Sequence, residues 1–193
     1  MRIIGIDQGP EVSGYADITP ELVVNRVGVY PNTDVLGFLF QLPTFESRKT
    51  LLVIEQFVSY GVGVGATTFD AIEWGGRFMQ MFISNTGCTV ERMTNRQWAL
   101  QLTGNQQAKD KQVKEGVLSV FPKDAEKSQK KCGTCKGKGW TGREHLECGT
   151  CLGSGIGRYD GVLCNAKTHA WDALGLALAG WDRITPGFLE GLR

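Results

Sequence analysis

No run of about 18 or more apolar residues occurs in this 193-residue sequence, so no transmembrane helix is expected. No export signal heads it either. Met1-Arg2-Ile3-Ile4-Gly5-Ile6-Asp7 meets a carboxylate too early for a secretory h-region, which predicts a cytoplasmic protein. Neither sign of charge dominates. Lys and Arg number 21 against 20 Asp and Glu, a net charge of +1 that excludes a global pull towards nucleic acid and leaves only local basic surface. The chain is not starved of apolar residues: they make up 41%, against 21% charged, which excludes a wholly disordered chain. The length predicts one domain with room for a small appendage.

What the sequence does hold is six cysteines. Four form the pairs Cys132/Cys135 and Cys148/Cys151, while Cys88 and Cys164 stand alone. With no export signal, paired Cys-x-x-Cys points to metal before disulfide. Cys88 and Cys164 have no paired base and read as small packing residues.

The first 30 residues predict an antiparallel meander: Arg2 to Asp7, then Val12 to Ile18 after the Gln8-Gly9-Pro10 turn, then Leu22 to Tyr30. Residues 31 to 50 are mixed and predict no regular element. Leu51-Leu52-Val53-Ile54 is a continuous apolar run, expected of a strand buried on both faces and ending at Glu55. A glycine-rich loop (Gly61, Gly63, Gly65) leads into a helical pattern from Thr67 to Asn85, with Phe69, Ile72, Gly76, Met79 and Ile83 on one predicted core stripe. Cys88 to Met93 predicts a strand. Asn95 to Leu102 and Lys109 to Phe121 predict helices, and a last helix runs from about Ala166 to Trp181. Composition breaks between these. Lys123 to Lys138 holds six lysines, and the glycine-rich stretch from Cys132 to Gly157 has only Leu146 and Leu152 before Ile156. Such a segment cannot build its own core and needs a staple. The expected map is therefore a body of residues 1–122 and 159–193 with a module of residues 123–158 inserted.

The staple is written twice: Cys132-Gly-Thr-Cys135-Lys-Gly-Lys-Gly and Cys148-Gly-Thr-Cys151-Leu-Gly-Ser-Gly. A tight turn aims two thiolates at one ion, and glycine after the second cysteine permits positive φ. Two such knuckles supply the four sulfurs of one closed structural Zn²⁺ site. His145, between them, is a surface residue on this account, since four sulfurs fill the site. The repeat resembles the cysteine-rich repeats of the DnaJ chaperone family, a resemblance confined to residues 132–155 and specific for metal.

Asp7 and Glu55 each close a predicted buried strand, and His169 and Asp172 share one helix face at i and i+3. Each alone is an ordinary residue; the combination is informative. Gathered carboxylates raise one another's pKa unless cations neutralise them. Oxygen-rich sites suit Mg²⁺ or Mn²⁺, and a pair of such ions serves phosphodiester hydrolysis.

These segments, in this order, resemble the RuvC family of Holliday-junction resolvases, which has the RNase H-like fold. Ile-Ile-Gly-Ile-Asp7-Gln-Gly-Pro-Glu-Val-Ser-Gly-Tyr15 looks like that family's first hairpin, and Val53-Ile-Glu55-Gln56 like its second acidic motif. Leu102-Thr-Gly-Asn-Gln-Gln-Ala108-Lys-Asp-Lys-Gln112-Val113 is similar to its Val-x-Gly-x-Gly-x-Ala-x-Lys-x-Gln-Val element, with Asp110 where the family usually has lysine and Gln106 at the second glycine. His169-Ala-Trp-Asp172-Ala173 resembles its closing helix.

The resemblance implies an α/β, RNase H-like mixed sheet flanked by helices. It implies a crossover-junction endodeoxyribonuclease in which Asp7, Glu55, His169 and Asp172 bind two Mg²⁺ or Mn²⁺ ions and cut four-way DNA junctions in paired symmetric nicks. It also implies a homodimer, and the chain's size and insertion suit a phage-encoded member working in the host cytoplasm. Near the family's junction-centre aromatic stand Phe57 and Tyr60. The basic candidates for DNA contact are Arg77, Arg96, Lys109 and Lys111 in the body and Lys130, Lys131 and Lys136 in the module. Trp140, if exposed on the module, either stacks on a base or caps a knuckle. Three alternatives stand beside this one: a broader nuclease of flaps and forks, a non-catalytic zinc-dependent nucleic-acid-binding protein, and an RNase H-like RNA-processing enzyme.

Overall fold

The computed structural model describes residues 1–42, 50–59, 61, 63–88, 90–121, 140, 141, 146, 147, 163, 166 and 168–192. The chain divides into two compact units, Met1–Phe121 with Ala166–Arg193 and Pro122–Asn165.

The larger unit is built on a mixed sheet of five strands: β1 (Arg2–Asp7), β2 (Val12–Ile18), β3 (Val24–Pro31), β4 (Thr50–Glu55) and β5 (Val90–Met93), in the order β3-β2-β1-β4-β5. The meander β1-β2-β3 is antiparallel. The pairs β1/β4 and β4/β5 are parallel, with Gly5 opposite Val53 and Ile6 opposite Ile54. The helices are α1 (Asn32–Phe40), α2 (Ala66–Thr86), α3 (Asn95–Thr103), α4 (Asp110–Val120), α5 (Thr168–Ile184) and α6 (Phe188–Leu192). This is the α/β arrangement expected.

The period of two along each strand decides what faces what. Ile4, Ile6, Leu52 and Ile54 point to one face, where they form a core with Val35 and Leu39 of α1 and Phe78 and Phe82 of α2. Gly5, Asp7, Val53 and Glu55 alternate with them and take the opposite face, which α5 covers. The approach of α5 is unusually close: a Cβ on Gly5 would overlap the carbonyl of Ala173, one on Gly14 the carbonyl of His169, and one on Gly180 the side chain of Val53. Only glycines permit this seating. Behind α5, Trp98 and Leu102 of α3 pack on Gly175, and Lys114 of α4 lies 5.2 Å from the Trp171 ring centre.

Three expectations need correction. Residues 31–50, predicted irregular, contain α1. It follows Pro31, its first residue Asn32 is buried and bonded to Ser13 Oγ and Gly9 O, and its inner face is only Val35 and Leu39, too short a stripe to stand out. The short α6 was not anticipated. The core stripe of α2 is also different. Ala71, Gly75, Phe78, Phe82 and Thr86 face inward, while Phe69, Ile72 and Ile83 are 62%, 44% and 46% exposed. Two apolar stripes share this helix, and the one with the larger residues towards its N-terminus is on the outside.

In the second unit, two short strands, β6 (Trp140–Thr141) and β7 (Leu146–Glu147), pair antiparallel. Among the described residues no helix is long and apolar enough to cross a membrane.

Candidate metal centre and active site

Asp7 ends β1, Glu55 ends β4, and both side chains fall on the sheet face that α5 covers. The register explains their meeting. Ile6 and Ile54 are the last paired residues, so Asp7 and Glu55 project side by side just beyond the ladder. The first turn of α5 brings His169 and Asp172 over them, and the bare backbone of Gly14 lets it descend. His169 Nδ1 lies 2.6 Å from Asp7 Oδ2. Asp7, His169 and Asp172 each offer one ligand atom within 4.8 Å of the others.

The electrostatics have one theme. Burial, followed by the charges of Asp7 and Asp172, pushes Glu55 up to about 8, against a smaller opposing effect of His169. Burial, then Asp7 and Asp110, pushes Asp172 up to about 7. The hydrogen bond to Asp7 raises His169, against the desolvation of its ring. Acids so raised form a site short of positive charge. The donor set, three carboxylates and an imidazole, is hard and oxygen-rich, and it fits a divalent cation such as Mg²⁺ or Mn²⁺.

An open cleft of about 590 Å³ runs past this cluster, lined by Asp7, Glu55, His169, Phe57 and the first turn of α2. Among the described DNA-contact candidates, Phe57 alone lines it. Arg77 is on the exposed face of α2, paired with Glu73 and 4.7 Å from the Trp74 ring centre. Arg96 is in the first turn of α3. Lys109 caps α4, and Lys111 lies 3.8 Å from Glu115. Tyr60, Lys130, Lys131, Lys136, His145, Cys164 and the four paired cysteines Cys132, Cys135, Cys148 and Cys151 lie outside the described residues, as does the side chain of Trp140. Cys88 packs half-buried against the core, as expected of a small apolar residue.

Two residues beside the site were not among the expected site residues. Asp110, first residue of α4, sits close enough for its charge to raise both His169 and Asp172. The signal was present, an acid where the resembled motif has lysine. Gln8 is buried between the strand ends, and its Nε2 donates to the Glu55 carbonyl at 2.7 Å. Nothing in its sequence context distinguishes it from a turn residue.

The fold is similar to that of solved RuvC structures. One is Thermus thermophilus RuvC, with a TM-score of 0.59 and 14% identity over 97% of this chain and 98% of that one. Another is T. thermophilus RuvC in complex with Holliday junction substrate, with a TM-score of 0.60 and 14% identity over 97% of each chain. No protein-family model and no curated protein matches the sequence.

Proposed function

We propose that this chain is a divalent-metal-dependent endodeoxyribonuclease that resolves four-way DNA junctions. One observation carries the proposal: Asp7, Glu55, Asp172 and His169, from three elements far apart in sequence, converge beside an open cleft. A fold similar to that of a RuvC in complex with Holliday junction substrate supports the substrate.

Asp7, Glu55 and Asp172, with His169 as a further ligand or as a proton-handling group beside them, are the residues that would hold Mg²⁺ or Mn²⁺, two ions per site. The chemistry such ions would supply there is activation of a water and stabilisation of the leaving oxygen of a phosphodiester. The protein's own part is to hold the donors in place. Asp7 is fixed by the sheet and orients His169 through Nδ1. That leaves Nε2 of a half-exposed ring to hold or release a proton at the cleft. Phe57, 37% exposed beside the acids, offers a ring face to an unstacked base.

The outward stripe of Phe69, Ile72 and Ile83 supports a homodimer, since a row of large apolar side chains on one helix is suited to burial against a second copy. For the module, the repeated Cys-x-x-Cys spacing supports one structural Zn²⁺ held by Cys132, Cys135, Cys148 and Cys151. The β6/β7 ribbon falls between the two pairs in sequence, as a hairpin joining two knuckles would. The module's lysines Lys130, Lys131 and Lys136 are candidate phosphate contacts in their own right.

The test is cleavage of labelled four-way junction, flap, fork and linear duplex with Mg²⁺ or Mn²⁺, wild type against Asp7→Asn. Paired symmetric junction cuts that vanish in the variant are expected. Equal cutting of flaps and forks would replace junction resolution by general debranching. Tight binding without cleavage under either metal would refute the enzyme.

A further inference from the structure

The amide of Gln8 is the most constrained polar group at the strand ends. The residue is 6% exposed. Its Nε2 donates to the main-chain carbonyl of Glu55 at 2.7 Å, while its Oε1 is buried with no hydrogen-bond partner. Helix α2 closes over it with Gly75, where a Cβ would sit 3.4 Å from Nε2. The backbone ladder between β1 and β4 has already ended at Ile6 and Ile54. The Gln8–Glu55 bond therefore crosses the gap one step further on, where Asp7 still pairs with Gly14 and Glu55 with Met93 but no longer with each other's strand.

A buried acceptor left unpaired costs stability, and such groups need a reason. A methionine or leucine would fill the same space without that cost, but neither could grip the Glu55 carbonyl. We infer that Gln8 is a positioning residue: it sets the separation of the Asp7 and Glu55 carboxylates and thereby the affinity of the site for a divalent cation. This rests on the metal-site assignment above. Groups that orient ligands from behind are worth about 10- to 100-fold in metal affinity. A residue acting only through Glu55 loses its effect once Glu55 is no longer a competent ligand.

The test is Mn²⁺ binding to the full-length, DNA-free protein by isothermal titration, alongside thermal melting. Gln8→Met is expected to weaken Mn²⁺ binding about tenfold. Its melting temperature should stay within about 3 °C of wild type, because losing an unpaired acceptor offsets losing one hydrogen bond. Gln8→Asn, one methylene too short to reach, should weaken binding similarly and serves if the methionine variant does not fold. In a Glu55→Gln background Gln8→Met should cause no further loss. Unchanged Mn²⁺ affinity in the folded Gln8 variants, with Asp7→Asn losing it, overturns the role of Gln8 and leaves the metal site standing. A full additional loss in the Glu55→Gln background also overturns it, since Gln8 would then act elsewhere. Wild-type affinity retained in Asp7→Asn overturns the metal site itself, and the role of Gln8 with it.

Discussion

Gly14 offers the sharpest single perturbation, because it touches nothing chemical. A Cβ there would overlap the carbonyl oxygen of His169 and stand 3.1 Å from the Ala170 nitrogen. Both are backbone atoms of the first turn of α5 and cannot swing aside as a rotamer can. In Gly14→Ala this turn must lift by on the order of 1 Å, because packed interiors hold no slack to absorb the methyl. The His169 Nδ1 to Asp7 Oδ2 contact, now 2.6 Å, would open beyond hydrogen-bonding range. A misplacement of about 1 Å costs about 100-fold in rate, and overpacking costs about 1–3 kcal/mol of stability. The assay is single-turnover junction cleavage at saturating protein, well below the melting temperature, so that neither binding nor unfolding enters. Gly28→Ala is the control. Its Cβ would meet only the Tyr30 ring, at 2.9–3.0 Å, on the far strand β3, so it should cost stability without costing rate. A folded Gly14→Ala that cuts within about threefold of wild type would refute the claim that the seating of α5 sets the site.

Stability should fall with pH in metal-free protein. Glu55, raised from 4.5 to about 8, and Asp172, from 3.8 to about 7, bind more protons folded than unfolded across those windows. His169, also raised, acts in the same direction above its unfolded value of 6.5. The melting temperature should therefore drop as pH rises from about 5 to 8, less steeply in Glu55→Gln, and Mg²⁺ should restore more of it the higher the pH. A flat profile would contradict the crowding of these acids. Phe69→Glu with Ile83→Glu should convert dimer to monomer in sedimentation with little change in monomer stability, since both side chains are largely exposed. A wild-type protein that sediments as a monomer would remove the homodimer. Denaturation with a zinc-sensitive dye should release one Zn²⁺ per chain, and Cys132→Ser should release little. Zinc-free wild type of full solubility would overturn the four-thiolate site.

The sheet was legible because its strands carry their own punctuation. Alternation along Ile3 to Asp7, a turn at Gly9-Pro10 and a solid apolar run before Glu55 leave few other arrangements. Asp7, Glu55, His169 and Asp172 could be picked out only jointly, through order and spacing; Asp7, His169 and Asp172 offer ligand atoms within 4.8 Å of one another, and Glu55 lies close enough to feel their charges. Burial direction on α2 was not legible. Periodicity finds a stripe but does not say which of two stripes meets the sheet, and the inner one is inconspicuous because its N-terminal members, Ala71 and Gly75, are small. α1 was missed because two buried residues a turn apart make a weak period. Gln8 escaped, and Asp110 showed only as a departure from a motif, because their importance lies in neighbours brought by tertiary structure, which local sequence does not record.

The contact between Asp7 and His169 joins residues 162 apart in sequence. Closing so long a loop carries an entropy penalty that grows only logarithmically, so housing the Pro122–Asn165 unit inside it adds about 0.3 kcal/mol. That stretch of chain is thus a tolerant address for added sequence. Synthesis runs the other way. A ribosome-bound chain can finish the five strands of the larger sheet and helices α1 to α4 while possessing Asp7 and Glu55 alone, and His169 and Asp172 arrive only with α5. The cluster is therefore assembled only after the sheet that carries its first two members.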